Sequence, residues 1–244
     1  MHDARTVADA LALGSRGKSA TEVARMLGLP RATVRGWLAG SVPRGGISPC
    51  SRCGRPHEAF ELSAAYTYLL GLYLGGGCLS AHAKGVFRLR IVLDLRYPAI
   101  VEATADAIAE VGHRPAWVGR RREKCVEVSA YSTSWTCIFP QHGPGMKHLR
   151  PIQLEPWQVE LMSRFPREML RGLIHSDGCR FLSTGRNWSC PRYAFSNRSA
   201  DIHGIFRAAC DLLGLHWTAA GRYTTYVSRK ADVATLDEFI GPKR

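Results

Sequence analysis

The sequence is short of acidic residues and of long apolar runs. It has 20 Asp and Glu against 33 Lys and Arg, a formal net charge of +13. Such an excess of positive charge indicates a polyanionic partner. The longest uncharged stretch, residues 62–83, is interrupted by Gly75, Gly76 and Gly77. Its helical part is therefore shorter than the ~20 residues that cross a bilayer, so we expect a buried helix and no membrane span.

Clustered cysteines are also lacking. Of the eight cysteines only Cys50 and Cys53 are close together, which argues against a disulfide framework. The first residues carry no continuous apolar core of the kind that a signal peptide has. With 45% hydrophobic and 22% charged residues, the composition is that of a globular protein. We therefore expect a cytoplasmic protein, associated with the nucleoid.

Residues 1–42 show the apolar spacing of three short helices. Ser19 followed by Glu22 predicts a capping box at the start of the second helix. Pro30 suits the first turn of the third helix, where the missing N–H has no cost. Because each helix is too short to persist alone, the three are expected to pack together.

The third helix combines an apolar side with a basic side that carries Arg31, Thr33 and Arg35. Arginine and threonine are residue types that contact base edges and phosphates. The string 20–38 resembles the helix-turn-helix of bacterial regulators and resolvase-type recombinases. We expect a DNA-binding domain; a three-helix packing module with a basic face is the alternative.

Residues 43–60 are rich in Gly, Pro, Ser and Arg and are predicted to form a linker. The linker contains Cys50 and Cys53, a C-x-x-C pair that is half of a tetrahedral zinc site. Only His57 offers a third ligand nearby, so we favour free thiols over structural zinc.

The rest of the chain repeats itself. The string LLGLYLGGGC at residues 69–78 recurs as LRGLIHSDGC at residues 170–179, and Asp94-Leu95-Arg96 recurs as Ser196-Asn197-Arg198. Each copy has the periodicity of helix, strand, strand, helix, strand, strand, helix. The sequence therefore predicts an α+β fold in which residues 61–150 hold the first copy and a connector, and residues 151–244 hold the second.

The two repeated strings resemble the paired motifs of the LAGLIDADG homing endonucleases, and the αββαββα order resembles that family's half-domain. The resemblance implies two motif helices that pack side by side at a pseudo-two-fold axis, and two saddle-shaped antiparallel sheets along the DNA major groove. The small residues at the helix contact would be Gly71, Gly75, Gly172 and Ser176. Together with the leading helix-turn-helix, the chain is similar to a group of actinobacterial proteins described as regulators or endonucleases.

The family's chemistry implies a carboxylate at the end of each motif helix, where Mg²⁺ binds. Asp177 stands at that position in the second copy, whereas Gly76 stands in the first and has no side chain. This difference disfavours double-strand cleavage and leaves nicking through Asp177 as the catalytic alternative. Asp177 also has a purely structural interpretation, as an Asx residue that bonds the backbone at a helix end.

The basic residues of the duplicated region are expected to contact phosphates, with solvated surface as the alternative. The densest run lies on a strand-turn-strand, the matching turn and strand of the second copy are also basic, and one lysine lies in the connector. These candidate DNA contacts are Arg120, Arg121, Arg122, Lys124, Lys147, Arg222, Arg229 and Lys230. Trp135, Trp157 and Trp188 are assigned to the core or to partly buried positions against it.

Two classes of function follow from these patterns. The first is a sequence-specific double-stranded DNA-binding protein that is degenerate in double-strand cleavage and acts as a transcription regulator. The alternative is an active Mg²⁺-dependent homing-type endonuclease or nickase that uses Asp177. Since both copies are on one chain, a monomer suffices for a near-palindromic site, and nothing in the sequence forbids a dimer.

Overall fold

The computed structural model describes residues 4–40, 50, 60, 62–122, 124–241 and 243. The chain divides into two units, Met1–Ala59 and Phe60–Arg244. Over the described residues, no helix is long and apolar enough to cross a membrane.

Within the described residues, the first unit contains three helices, α1 (Ala4–Ser15), α2 (Ala20–Leu27) and α3 (Arg31–Leu38). Their apolar sides meet in a small core, which is formed by Val7, Ala10, Val23, Ala24, Val34 and Trp37. Each helix is short, and this shared core is what holds the three together.

A capping box defines the start of α2, as the sequence predicts. The Glu22 carboxylate accepts a hydrogen bond from the Ser19 backbone N–H at 2.9 Å, and the Ser19 hydroxyl accepts one from the Glu22 backbone N–H at 3.3 Å. The capping box is thereby confirmed. Pro30 differs slightly from expectation: it is the N-cap of α3, one residue before the first turn, because its ψ of 131° is extended rather than helical.

The second unit contains two copies of one arrangement. The first copy consists of α4 (Ala64–Gly75), β1 (Cys78–Ala81), β2 (Phe87–Asp94), α5 (Pro98–Gly112), β3 (Trp117–Arg122), β4 (Cys125–Ser132) and α6 (Trp135–Ile138). A connecting helix, α7 (Pro156–Arg164), follows. The second copy consists of α8 (Pro166–Asp177), β5 (Gly178–Gly185), β6 (Trp188–Ser196), α9 (Ala200–Leu212), β7 (Trp217–Ala220), β8 (Thr224–Val227) and α10 (Lys230–Phe239).

The two sheets have the same topology. Each is a four-stranded antiparallel sheet, with the orders β1-β2-β4-β3 and β5-β6-β8-β7. This confirms the predicted α+β fold with a duplicated αββαββα unit. We call the two sheets the first and second sheet; in each, one side packs on helices and the opposite side is the outer face.

Helix α4 is buried on every side, since all residues from Tyr66 to Leu74 are buried. The expectation of a short buried helix in this uncharged stretch is confirmed. Of the three tryptophans assigned to the core, Trp135 is buried and Trp157 is partly buried against the core. The assignment of Trp188 is wrong, because this residue lies on the outer face of the second sheet and is 51% exposed.

Helices α4 and α8 make the closest helix contact of the second unit, through paired glycines. A Cβ added at Gly71 would lie 2.7 Å from the carbonyl oxygen of Met169 and 2.9 Å from the backbone nitrogen of Leu173. A Cβ at Gly172 would overlap the carbonyl oxygen of Tyr68. Because the neighbours are backbone atoms, they cannot rotate away, so the helices must separate to admit any side chain.

We predict that Gly172→Ala lowers the free energy of unfolding by roughly 1–3 kcal/mol or more, because it overpacks this contact. Gly204 is the matched control: it lies inside α9, is exposed, and a Cβ there would have no neighbour within 4 Å. Gly204→Ala should instead stabilise the chain by about 0.5–1 kcal/mol. Urea unfolding measures both; equal effects of the two substitutions would contradict the contact.

Candidate functional site

The C-terminal ends of α4 and α8 lie side by side. Helix α4 ends at Gly75, whose added Cβ would overlap the Ser176 hydroxyl and lie 3.3 Å from Cγ of Asp177. Asp177 is the last residue of α8. The glycine contact between the helices therefore places a carboxylate at the junction of the two copies.

Asp177 is half-buried and held by one neighbour of its own copy. Asn197, between β6 and α9, donates its side-chain N–H to Oδ2 of Asp177 at 2.6 Å. Burial raises the pKa of Asp177, whereas the Asn197 bond and the charges of Lys147 and Lys243 oppose that rise. Asn197 was not singled out from the sequence, although its place in the repeat gave a usable signal.

A lysine sits on the carbonyl end of each of these two helices. Lys147 donates to the carbonyl oxygen of Tyr73 and to those of Leu74 at 3.1 Å and Gly75 at 3.4 Å. Burial lowers its pKa to about 8, and the Asp177 carboxylate opposes the shift. An ammonium at this position satisfies carbonyls that a helix leaves unpaired and complements the negative end of the helix dipole.

Lys243 does the same for α8. It donates to the carbonyl oxygens of Ile174 at 3.1 Å, Ser176 at 3.3 Å and Gly178 at 3.0 Å. Burial lowers the pKa of Lys243, and Asp177 again opposes the shift. Sequence reasoning missed Lys243; the available signal is that a lysine follows the closing helix of each copy.

Two pockets flank the helix ends. The first, of about 390 Å³, is lined by Asp177, Asn197, Lys147, His148 and Arg198 among others. The second, of about 270 Å³, is lined by Asp94, Arg96, His175 and Lys243 among others. They use corresponding segments of the two copies, since Asp94-Leu95-Arg96 repeats as Ser196-Asn197-Arg198.

The first copy has neither the carboxylate nor its amide partner. Gly76 stands at the position of Asp177, and Leu95 at that of Asn197. The acid that lines the second pocket, Asp94, accepts two side-chain bonds from Arg96 at 2.8 and 2.6 Å, which lower its pKa. Gly76 has φ −104°, and a Cβ there would have its nearest neighbour at 4.0 Å. A Cβ at position 76 is therefore sterically admissible.

The residues around Asp177 offer one carboxylate for a metal ion. Among the described residues that line the 390 Å³ pocket, Asp177 alone is acidic, and no group of three or more His, Cys, Asp or Glu side chains in the described part of the chain could hold a metal. Mg²⁺ is commonly bound by one or two carboxylates together with substrate phosphates and water. These residues therefore fit a Mg²⁺ ion that is also bound by a phosphate of a ligand. They offer too few ligands to hold the ion without that phosphate.

The C-x-x-C pair lies only partly within the residues that the structure describes. Cys50 is half-buried, and Cys53 lies outside the described residues. The expectation from the sequence that this pair does not hold structural zinc stays a prediction.

In the first unit, Val34 and Trp37 of α3 are buried, whereas Arg31 and Arg35 are exposed and Thr33 is half-buried. The three candidate base contacts thus lie away from the core of that unit. Their partner stays a prediction.

The basic residues predicted to contact DNA occupy three different places, and Lys147 lies apart from the others, bonded to carbonyl groups at the end of α4. Arg120, Arg121 and Arg122 belong to β3, and Lys124 is exposed in the turn to β4. Arg222 is exposed in the corresponding turn between β7 and β8, but Arg229 and Lys230 follow the opposite end of β8, where α10 begins. The structure therefore separates Arg229 and Lys230 from Arg222.

The outer faces of the sheets carry arginines that sequence reasoning missed. Arg90 in β2 and Arg192 in β6 occupy corresponding positions of the two copies. In each, the Nε atom is buried and has no hydrogen-bond partner among the described residues. The alternation of Arg88, Leu89, Arg90 and Ile91 was the available signal, because side chains in a strand alternate between its two faces.

No protein-family model matches the sequence, and no curated protein matches it. Solved structures with a similar course of the chain include the N-terminal LAGLIDADG domain of DUF199/WhiA, with 14% identity, TM-score 0.49 and coverage of 75% of this chain and 84% of that one. The LAGLIDADG meganuclease I-AabMI bound to uncleaved DNA has 14% identity, TM-score 0.45 and coverage of 71% and 82%. The I-SmaMI LAGLIDADG homing endonuclease bound to cleaved DNA has 10% identity, TM-score 0.46 and coverage of 76% and 85%. Likeness at this level assigns no activity to the chain.

We predict that Asn197→Leu, which installs the residue of the first copy, raises the pKa of Asp177 further. The substitution removes a hydrogen bond that favours the charged carboxylate and leaves the burial. Carboxyl ¹³C NMR titration measures this directly. Asn187→Leu, in the exposed turn between β5 and β6, is the control and should leave the titration of Asp177 unchanged; an unshifted Asp177 in Asn197→Leu would contradict the assignment.

Proposed function

We propose that the chain binds double-stranded DNA, with the outer faces of its two sheets as the main contact surface. The observation that carries the proposal is the matched pair Arg90 and Arg192, each with a guanidinium nitrogen that is buried and lacks a partner among the described residues. Because Nε is not engaged within the described part of the protein, each guanidinium keeps hydrogen-bonding capacity for an acceptor on a ligand. Phosphates and the acceptor edge of guanine are the groups in nucleic acid that bind arginine.

The charge distribution supports the same partner. The net charge is +13, and exposed basic residues occur in the corresponding turns of both sheets, at Lys124 and Arg222. In the first unit, Arg31 and Arg35 on α3 would read a second segment of DNA as a helix-turn-helix. Two sheets of equal topology suit a near-palindromic site, so a monomer would suffice. In this proposal the chain acts as a sequence-specific regulator.

Asp177 favours a second candidate, a Mg²⁺-dependent nickase. Its carboxylate lies at the junction of the helices, with Lys147 beside it. There it would share the ion with a phosphate of one DNA strand, and the ion would activate water for phosphodiester hydrolysis. Gly76 supplies no such group for the other strand, so this chemistry would be limited to one strand.

For duplex binding, we predict that Arg90→Gln and Arg192→Gln each weaken affinity and lower the slope of log K against log salt by about 1. Counterion release makes this slope proportional to the number of phosphates neutralised. Arg164→Gln, an exposed position on α7, is the control and should change neither quantity. Fluorescence anisotropy on a selected duplex gives both values; a salt-independent affinity would contradict the proposal.

For cleavage, we expect the chain with Mg²⁺ to convert supercoiled plasmid to the nicked form, and Asp177→Asn to abolish this without loss of DNA binding. Gly76→Asp, whose Cβ has no close neighbour at position 76, should add linear product. Asp106→Asn, an exposed acid on α5, is the control and should nick normally. If neither the unaltered chain nor Gly76→Asp cuts DNA that it binds, the nickase candidate fails and the binding function stands.

A further inference from the structure

Large aromatic side chains lie exposed on the outer faces of both sheets. Trp117 is 54% exposed, Tyr131 50% and Trp188 51%. Strand register puts Trp117 and Tyr131 on one face, because Trp117 pairs with Ser129, two residues before Tyr131. Trp188 shares its face with Arg192, four residues along β6. These rings are outside the core that the helices cover.

The two tryptophan rings rest on glycines. The six-membered ring of Trp117 occupies the space that a side chain at Gly119 would need. The five-membered part of the Trp188 ring occupies the corresponding space at Gly185, its cross-strand partner. Each ring is thus supported by the sheet on one side and half-exposed to solvent. Such a ring has little conformational freedom left to lose when a ligand packs on it.

A cation accompanies each ring. The Arg88 guanidinium lies 5.5 Å from the ring centroid of Trp117 and 5.4 Å from that of Tyr131. It is held there by Glu127 at 2.6 Å and by the Ser129 hydroxyl. In the second sheet, the guanidinium of Arg192 lies 5.6 Å from the ring of Trp188. The charge of Arg88 is balanced by Glu127, whereas the guanidinium of Arg192 next to the ring of Trp188 complements a phosphate next to a flat base.

Exposed rings of this kind match unpaired bases rather than a paired duplex. In B-form DNA the faces of the bases are covered by their stacked neighbours, and only their edges are open to protein in the grooves. An aromatic side chain on an open sheet can stack on a base once that base has left the helix. A duplex in which some bases are unpaired offers both partners, base faces for the tryptophans and phosphates for the arginines.

We propose that Trp117, Tyr131 and Trp188 stack on unpaired bases, so that the chain prefers locally opened DNA to fully paired DNA of the same length. The proposal rests on the DNA binding proposed above and names the form of DNA that the outer faces take. Stacking on these rings adds affinity that the phosphate contacts alone do not supply.

The test compares two probes of equal charge: a fully paired duplex, and the same duplex with a central four-base bubble that contains 2-aminopurine. We expect the bubble to bind at least about fivefold more tightly, as stacking of even one base would provide. The 2-aminopurine fluorescence should fall on binding, because the base stacks on a protein ring.

Variants locate the effect. Trp117→Leu and Trp188→Leu should each reduce the preference for the bubble and restore part of the 2-aminopurine signal, whereas Trp117→Phe should retain both effects. Gly119→Val keeps the tryptophan but displaces its ring, and should act like Trp117→Leu. Tyr223→Ala removes an exposed ring from the turn between β7 and β8 and is the matched control, with no expected change. Thermal unfolding of each variant checks that the fold is intact.

The outcomes separate the two proposals. Equal affinity for the bubble and the paired duplex, or a preference that survives in both Trp117→Leu and Trp188→Leu, overturns the stacking proposal and leaves duplex binding in place. Failure to bind either probe overturns both. A preference lost in Trp117→Leu and Gly119→Val but kept in Trp117→Phe and Tyr223→Ala supports stacking.

Discussion

The contact between Gly71 and Gly172 is the constraint on which the rest of the second unit depends. At these two glycines the backbones of α4 and α8 approach so closely that an added Cβ would meet backbone atoms of the facing helix. The ends of the two helices then fall side by side, with Ser176 packed on Gly75 and Asp177 at the junction. The two pockets lie on either side of the helix ends that this contact brings together.

Electrostatics at the junction follow from that placement. Two helix ends bring their negative dipole ends together, and Asp177 adds a carboxylate. Lys147 and Lys243 each donate to the carbonyl groups of one of these ends. Burial disfavours the charged forms of Asp177, Lys147 and Lys243, whereas the attraction between the carboxylate and each ammonium group favours them. The Asp177 carboxylate also lines the 390 Å³ pocket, so it stays accessible from that side.

The two copies share a backbone but differ in chemistry. The second copy has Asp177 held by Asn197, whereas the first has Gly76 and Leu95 at the same positions. The loss of both partners in one copy makes the junction one-sided. The outer faces of the two sheets are more alike than the helix ends, since Arg90 and Arg192 occupy corresponding positions. The outer-face arginine is therefore a feature that the two copies share, and the carboxylate is the feature in which they differ.

Much of the fold could be predicted because it follows from local and repeated patterns in the sequence. Alternation and helical spacing located the strands and helices, the repeat gave two equal sheets, and Ser19 with Glu22 marked the start of α2. The position of Asp177 at the end of a helix was implied by the resemblance of the repeated strings to the LAGLIDADG motifs, and it is confirmed. Trp188 was misplaced because an aromatic residue in a strand has the same local pattern on either face of a sheet.

The sequence by itself determined the duplicated αββαββα order, the glycine-containing helices and the excess of positive charge. Only the tertiary structure decided which side chains meet across long distances along the chain. Lys147 on the end of α4 and Lys243 on the end of α8 are pairings of this kind, as is Arg88 between Trp117 and Tyr131. Such pairings depend on strand register and helix contact, which are set by the packing of the whole unit and leave no trace in any short segment.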